Sequence, residues 1–308
     1  MAHHDDAQPE DVLTRPAGPP DAVLRYGGLR DHVIDLRLPV TPDNAVNADN
    51  GDSDARPPLV VVIHGGFWRD AFDRTHTGPQ CEGLVAAGYA VAAIEYRRTT
   101  TDSAAPDDTK GGWPATFDDV AAALDALPDL VDDATHGRVD TSRIVLVGHS
   151  AGGHLALWAA ARHRLPAGSP WRLDAPMSGL AGVVALAGVS DLGSCHDQHL
   201  GNDAVVPLLG GGPGEFPDRY AAADPARLLP TGAAAVLVHG VDDDRVPVSM
   251  SESFATAARE AGDDVTLVTP PGCGHFEVID PLSAAWPAVL DAVRQLAAIT
   301  PSGDLKQP

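Results

Sequence analysis

Hydrophobic positions along the chain fall into short continuous runs that alternate with amphipathic stretches. The unbroken, β-branched run at 59–63 is typical of a strand buried on both faces, whereas 117–127 repeats apolar residues at helical spacing. Residues 32–40 alternate apolar and polar side chains, which predicts a half-buried strand near a sheet edge. Comparable patterns predict strands over 89–96, 143–147, 183–189, 234–239 and 265–268, and helices over 78–87, 151–162, 249–261 and 281–299. The alternation predicts an α/β fold with a mostly parallel central sheet flanked by helices.

The same pattern predicts the domain organisation. Residues 1–24 have no periodicity and are expected to form a flexible N-terminal tail. Residues 25–299 are predicted to form a single domain, and residues 300–308 a C-terminal tail. Within the domain, residues 190–232 are irregular and Gly-rich, and we interpret them as a small cap-like insertion after the sixth strand. Together with a polar loop at 99–114, this insertion is expected to shape the substrate pocket.

Composition narrows the functional classes. The chain carries 43 Asp and Glu against 21 Lys and Arg, a formal net charge of -22. The negative electrostatic potential of such a protein should repel nucleic acid and anionic membranes. No apolar run is long enough for a membrane span, and no secretory signal is recognisable at the N-terminus, so a cytoplasmic protein is expected. The three cysteines, Cys81, Cys195 and Cys273, lack metal-ligand spacing and are predicted to be free thiols. We expect no cofactor and no metal.

The segment Gly148-His-Ser-Ala-Gly152 is the first candidate for chemistry. It follows the apolar run at 143–147 and precedes a predicted helix, so the pattern G-x-S-x-G predicts a sharp strand-to-helix turn with Ser150 at its tip. The glycines lack a Cβ and allow the strand and the helix to approach closely. Ser150 is therefore the predicted nucleophile.

A second candidate segment, His64-Gly-Gly-Phe-Trp68, follows the buried run at 59–63. Consecutive glycines after a central strand can turn backbone N–H groups outward, where they would stabilise the oxyanion of an acyl-transfer intermediate. We assign this role to the N–H groups of Gly66, Phe67 and Ala151, the last being the residue after the nucleophile. His64 is interpreted as a structural hydrogen-bonding residue rather than as a base.

A serine hydroxyl needs a base to take its proton during attack. His275 is the candidate, since it lies between Gly274 and Phe276 in the loop after the last predicted strand and could reach Ser150. A carboxylate must then orient the imidazole. Three adjacent aspartates, Asp242, Asp243 and Asp244, follow the strand at 234–239 and are the candidates for this acid.

These motifs together resemble the α/β-hydrolase superfamily, in matching order over roughly residues 25–299. The chain is most similar to the esterase and lipase branch near hormone-sensitive-lipase-like enzymes and the kynurenine formamidases, whose oxyanion motif is also H-G-G-x-W. In the family's pattern H-G-x-x-D-x-x-V-P the acid falls on Asp243, so the resemblance implies the triad Ser150, Asp243 and His275. The sequence departs from the lipase-type H-G-G-G motif at Phe67, and Trp68 favours the formamidase-like group.

The leading hypothesis is therefore a serine hydrolase that cleaves carboxylic esters with small or aromatic acyl groups through an acyl-enzyme intermediate. The alternative is an arylformamidase that hydrolyses N-formylkynurenine with the same triad. A third hypothesis is a catalytically silent hydrolase fold that serves as a binding module. The expected partner is a small-molecule ester or amide, with no nucleic acid and no membrane span, and a homodimer is left open.

Overall fold

An eight-stranded sheet forms the centre of the protein in a computed structural model that describes residues 8–40 and 56–299. The strand order is β1-β2-β4-β3-β5-β6-β7-β8. β1 and β4 each pair antiparallel with β2, and the remaining neighbours are parallel, so the predicted mostly parallel sheet is confirmed. The strands are β1 (Ala22–Arg25), β2 (Val33–Arg37), β3 (Pro58–Ile63), β4 (Ala90–Ile94), β5 (Asp140–His149), β6 (Leu180–Leu186), β7 (Ala235–Val238) and β8 (Val265–Val268).

Helices cover both faces of this sheet because alternate residues of each central strand point to opposite sides. Leu59, Val61 and Ile63 of β3 pack on one side, in a core shared with α2, α3 and α8, while Val60 and Val62 pack on the other side with α1 and α9. None of the helices in the described ranges is long and apolar enough to cross a bilayer. The covering helices are α1 (Gly78–Ala86), α2 (Ala115–Thr135), α3 (Ala151–Ala160), α8 (Val248–Glu260) and α9 (Trp286–Ala297).

The full length of α2 and the presence of β1 were not predicted. α2 continues for two turns beyond the expected end at residue 127, since the apolar face resumes at Val131 and the helix accommodates Pro128 at the cost of a backbone hydrogen bond. β2 lies near a sheet edge as expected, second from it with the unpredicted β1 outside, but it is buried on both faces rather than half-buried. β1 has only four residues and one exposed face, with Val23 54% exposed, so it carries no apolar run that could predict it.

The insertion predicted after the sixth strand lies between β6 and β7 and is helical. Two side chains of α3 hold it in place: Nε2–H of His154 donates to the carbonyl oxygen of Ala223, and Nε1–H of Trp158 donates to that of Ala222, both at 2.9 Å. The insertion is thus fixed to the helix that follows Ser150. Its helices are α4 (Leu192–Asp197), α5 (Leu200–Asp203), α6 (Val205–Leu209) and α7 (Pro217–Ala223).

The N-terminal segment corrects the expectation of a tail over residues 1–24. Pro9–Leu13 forms a 3-10 helix whose Val12 is 1% exposed and packs in the core beside α1 and α9. Arg15 makes a bidentate ion pair with Asp280, at 2.5 and 2.9 Å. These partners lie far away in sequence, so local periodicity could not reveal them. Residues 1–7 and the predicted tail at 300–308 lie outside the described residues.

Replacing Val12 tests whether this segment is part of the fold. Val12→Ala should lower the free energy of unfolding by about 2 kcal/mol, because it removes buried methyl groups from a packed core. The matched control is Val23→Ala on the exposed face of β1, for which a change within about 0.5 kcal/mol is expected. Urea unfolding followed by circular dichroism measures both. Equal stabilities for the two variants would show that residues 9–13 do not contribute to the folded core.

Candidate active site

Ser150 lies in a sharp turn between β5 and α3, as the sequence predicts. Its φ of 54° and ψ of -115° belong to a region that non-glycine residues rarely adopt. A Cβ on Gly148 would lie 2.1 Å from the carbonyl oxygen of Gly152, and a Cβ on Gly152 would lie 2.0 Å from that of Ile63. Only glycine at both positions therefore lets β3, β5 and α3 meet. The turn holds Ser150 against a cavity, at the positive end of a ten-residue helix.

His275 and Asp243 form a direct pair beside this turn. Nδ1 of His275 lies 2.7 Å from Oδ2 of Asp243, and the other carboxylate oxygen accepts the N–H of Val246 at 2.8 Å. Asp242 and Asp244, the other two candidates for the acid, are exposed. His275 lines the same cavity as Ser150, although within the described residues no hydrogen bond joins the two side chains. Such contacts are often longer in an enzyme without substrate.

A second histidine, His239, supports Asp243. Its Nε2 lies 3.2 Å from Oδ2 of Asp243 and 2.9 Å from the carbonyl oxygen of Val246. Its Nδ1 accepts the hydroxyl hydrogen of Ser251 at 2.7 Å, which leaves the ring hydrogen on Nε2. Burial alone would raise the pKa of Asp243, but hydrogen bonds from His239 and His275 outweigh it and hold that pKa well below its usual range. Asp243 is therefore ionised at neutral pH.

His149 connects the serine turn to the loop of His275. Its Nε2–H donates to the carbonyl oxygen of His275 at 2.9 Å, and the two rings lie 4.6 Å apart. Burial, followed by the nearby charge of His275, lowers the pKa of His149 well below its ordinary value, so the ring is neutral. The residue before the nucleophile therefore anchors the backbone of the predicted base, a role that the sequence pattern did not reveal.

The segment after β3 has an unusual backbone. Gly66, Phe67 and Trp68 have φ angles of 111°, 49° and 57°, so three consecutive residues lie in the left-handed region. In the described part of the chain, the N–H groups of Gly66, Phe67 and Ala151 have no protein acceptor. Gly66 and Phe67 also line the cavity that contains Ser150. The predicted oxyanion donors are therefore free to bind a ligand.

A buried ion pair fixes the orientation of this segment. Nδ1 of His64 lies 2.9 Å from the carbonyl oxygen of Gly65, and its Nε2 lies 2.9 Å from Oε1 of Glu95. In a trans peptide the C=O and the N–H point in opposite directions, so holding the oxygen of Gly65 turns the N–H of Gly66 away from His64. Burial would raise the pKa of Glu95, but the charge and hydrogen bond of His64, the charge of Arg98 and the N–H of Arg74 together outweigh it and lower that pKa to about 2.

Phe67 and Trp68 are fixed by contacts that compensate for their strained backbone. A Cβ on Gly201 of α5 would lie 2.6 Å from the ring of Phe67, so this glycine leaves the space that the ring fills. Nε1–H of Trp68 donates to Nδ1 of His154 at 3.2 Å, and the N–H of Thr99 donates to the carbonyl oxygen of Trp68 at 2.7 Å. The departure from the H-G-G-G motif at Phe67 is therefore accommodated by the insertion.

The cavity beside Ser150 has a volume of about 350 Å³, near the lower end of the range for small-molecule sites. Of the described residues, none from 99–114 or 190–232 lines it, and the insertion contacts the cavity through Phe67, against which Gly201 packs. The N-terminal 3-10 helix lines the cavity instead. The apolar lining residues are Leu13, Phe67, Ala71, Phe72 and Phe276, and the polar ones include Glu10, Arg69, His76 and Arg245.

The described residues contain no group of three or more His, Cys, Asp or Glu side chains placed to hold a metal ion. Cys81, Cys195 and Cys273 are buried and unpaired. Burial raises the pKa of Cys195 to about 12, so its thiol is not ionised at neutral pH.

Comparison with solved structures agrees with this architecture. A truncated carbohydrate esterase from gut microbiota superposes with a TM-score of 0.69 and 22% identity, over 92% of this chain and all of the other. Esterase B from Lactobacillus rhamnosis superposes with a TM-score of 0.71 and 19% identity, over 94% and 90% of the two chains. The fold is thus that of an α/β-hydrolase.

Comparison with known sequences defines the family. Esterase LipQ of Mycobacterium tuberculosis is 28% identical over 217 residues, which are 67% of this chain and 47% of LipQ. Kynurenine formamidase avaC of Aspergillus versicolor is 28% identical over 226 residues, which are 64% of this chain and 74% of the relative. The chain thus spans about half the length of LipQ and three quarters of avaC. The profile of the BD-FAE family matches residues 48–257, and the chain belongs to that family.

Replacing Glu95 tests the buried ion pair. Glu95→Gln should lower the free energy of unfolding at pH 7 by about 3 kcal/mol, because His64 loses its buried counter-charge. The pKa of Glu95 falls from an ordinary value of 4.5 to about 2 on folding, so the stability it provides is complete above pH 4.5 and is lost as the pH falls towards 2. The stability difference between wild type and variant should therefore shrink between pH 5 and pH 3.

Urea unfolding at pH 7.0, 5.0 and 3.5 measures this difference, with the exposed Glu252→Gln as the matched control. The control should lie within about 0.5 kcal/mol of wild type at each pH. A Glu95→Gln difference that stayed constant from pH 7.0 to pH 3.5 would contradict the ion pair.

Proposed function

We propose that the protein is a serine hydrolase that cleaves carboxylic esters with small or aromatic acyl groups. The observation that carries this proposal is the pair of Asp243 and His275, 2.7 Å apart, of which His275 lines a cavity together with Ser150 and with residues whose backbone N–H groups have no acceptor. These are the groups that acyl transfer to a serine requires. Membership of an esterase-containing family supports the same reaction class.

The reaction proceeds in two halves. Oγ of Ser150 attacks the ester carbonyl carbon while Nε2 of His275 takes the hydroxyl proton, and Asp243 stabilises the resulting imidazolium. The carbonyl oxygen becomes an oxyanion that accepts hydrogen bonds from the N–H groups of Gly66, Phe67 and Ala151, each worth about 3 kcal/mol. The intermediate then expels the alcohol, which receives the proton from His275.

The second half regenerates the enzyme. A water molecule attacks the carbonyl carbon of the acyl group on Ser150, and His275 takes a proton from that water. The new oxyanion collapses, the bond to Oγ breaks, and His275 returns the proton to Ser150. The carboxylic acid leaves and the enzyme is restored without a cofactor.

The shape and lining of the cavity support small or aromatic acyl groups. A volume of about 350 Å³ leaves little space for a long chain. The rings of Phe67, Phe72 and Phe276 supply apolar surface for an aromatic or short aliphatic group. Cytoplasmic localisation and the lack of a nucleic-acid partner stay predictions from the sequence.

Hydrolysis of N-formylkynurenine is the second candidate function. It rests on the segment His64-Gly-Gly-Phe-Trp68 and on the similarity to a kynurenine formamidase. The same nucleophile, base and oxyanion donors would act on a formamide, with His275 protonating the departing amine.

A substrate panel separates the two candidates. Purified protein is assayed against p-nitrophenyl acetate, butyrate and octanoate, methyl ferulate and N-formyl-L-kynurenine, each beside Ser150→Ala. We expect the highest kcat/KM for the short or aromatic esters and no turnover above background for Ser150→Ala. Preference for formylkynurenine by orders of magnitude would instead establish the formamidase. Full esterase activity in Ser150→Ala would refute both.

Replacing each aspartate of the loop after β7, which contains Asp242, Asp243 and Asp244 and is called the acid loop below, tests the role of Asp243. Asp243→Asn should lower kcat by about ten-thousand-fold with KM little changed, because the imidazole loses the carboxylate that sets its tautomer. Asp242→Asn and Asp244→Asn are the matched controls, since both carboxylates are exposed and neither bonds to His275. Comparable losses in all three variants would show that the acid is not Asp243.

A further inference from the structure

Two cavities adjoin each other at the N-terminal segment. The first is the cavity that contains Ser150, and the second, of about 340 Å³, lies between the N-terminal segment and the β2 and α1 side of the fold. Of the described residues, only Leu13 and His76 line both cavities. These two side chains therefore form the partition between them.

His76 is the rigid half of this partition. Its Nδ1–H donates to the carbonyl oxygen of Asp73 at 2.5 Å, and its ring makes edge contacts with Phe72 and His64 at centroid distances of 5.6 and 5.7 Å. Burial is the main cause that lowers the pKa of His76 to about 4, so the ring is neutral at neutral pH. Leu13, a partly buried aliphatic side chain, is the other half.

The backbone that carries Leu13 is held on both sides. Val12 is buried in the core, and Glu10 forms an ion pair of 2.7 Å with Arg245, which follows the acid loop. On the other side, Arg15 pairs with Asp280. Because Leu13 lies between these anchors, its backbone is held beside the partition.

We propose that Leu13 is a specificity-determining residue, which closes the substrate cavity towards the second cavity and so limits the wild-type enzyme to short groups. This inference rests on the hydrolytic function proposed above. Shortening the side chain to alanine would remove one half of the partition and open the substrate cavity towards the second cavity. The same transition-state interactions at Ser150 would then serve longer substrates.

The second cavity also determines which long substrate fits. Its walls include Asp35, Arg37 and Arg74, and they are more polar than those of the first cavity. Arg37 donates only to the carbonyl oxygens of Pro19 and Gly18 and has no carboxylate partner among the described residues. A chain that crosses the partition should therefore be apolar along its length and carry a polar group at its end.

The test compares kcat/KM for long and short esters on both sides of the scissile bond. p-Nitrophenyl 8-hydroxyoctanoate and p-nitrophenyl butyrate vary the acyl group, and 8-hydroxyoctyl acetate and butyl acetate vary the alcohol. Leu13→Ala should raise the long-to-short ratio at least fivefold in one of the two series. Leu13→Met, which conserves volume, and the remote Val23→Ala should leave both ratios within twofold of wild type.

Glu10→Gln tests the anchor separately. It removes the ion pair to Arg245 while leaving Leu13 intact, so it should shift the same ratio in the same direction by a smaller factor. Raising the salt concentration should weaken this ion pair in the wild type and reduce the difference between the two proteins.

A binding measurement keeps this inference distinct from the proposed function. Calorimetry measures the affinity for the uncleaved long and short esters of two proteins, Ser150→Ala alone and Ser150→Ala combined with Leu13→Ala. A long-to-short affinity ratio that rises at least fivefold with Leu13→Ala supports the partition, even if the wild type hydrolyses none of the esters. If a folded Leu13→Ala variant leaves the long-to-short ratio of kcat/KM unchanged, the inference is overturned. Where no ester is hydrolysed, an unchanged long-to-short affinity ratio overturns it.

Discussion

The close contact of β3, β5 and α3 around Ser150 is the constraint on which the rest of the site depends. A carbonyl oxygen of β3 lies where a Cβ on Gly152 would be, so the end of β3 cannot be far from the serine turn. The segment with free N–H groups continues directly from that strand. Two glycines without side chains therefore position both the serine and the groups that face it, and the strained backbone of Ser150 persists because three elements hold it.

Each polar group at the site is held by another group behind it. Asp243 orients His275 and is itself bonded by His239, while His64 is held by Glu95. Because these groups are almost fully buried, their electrostatic interactions are stronger than those of the numerous surface carboxylates. The net charge of -22 therefore says little about the site, whose charges are paired locally.

The sequence predicted the sheet and its central strands because buried parallel strands are continuous apolar runs. It also brought Ser150, Asp243 and His275 into one hypothesis, since their motifs occur in a fixed order, and the geometry of Asp243 and His275 agrees with that hypothesis. It did not predict the wall formed by Glu10 and Leu13. One buried valine and two ion pairs hold that wall. The partners in the two ion pairs lie more than 200 residues away, which no local pattern can show.

The bond between Arg15 and Asp280 joins residues 265 positions apart, and this separation affects the order of assembly during synthesis. Arg15 leaves the ribosome before Asp280, so its segment can be anchored only after Asp280 has been made. A nascent chain that has completed β5 and α3 already contains Ser150, but one wall of its cavity is still missing. Because long-range contacts form late, closing the cavity should be among the last steps of folding.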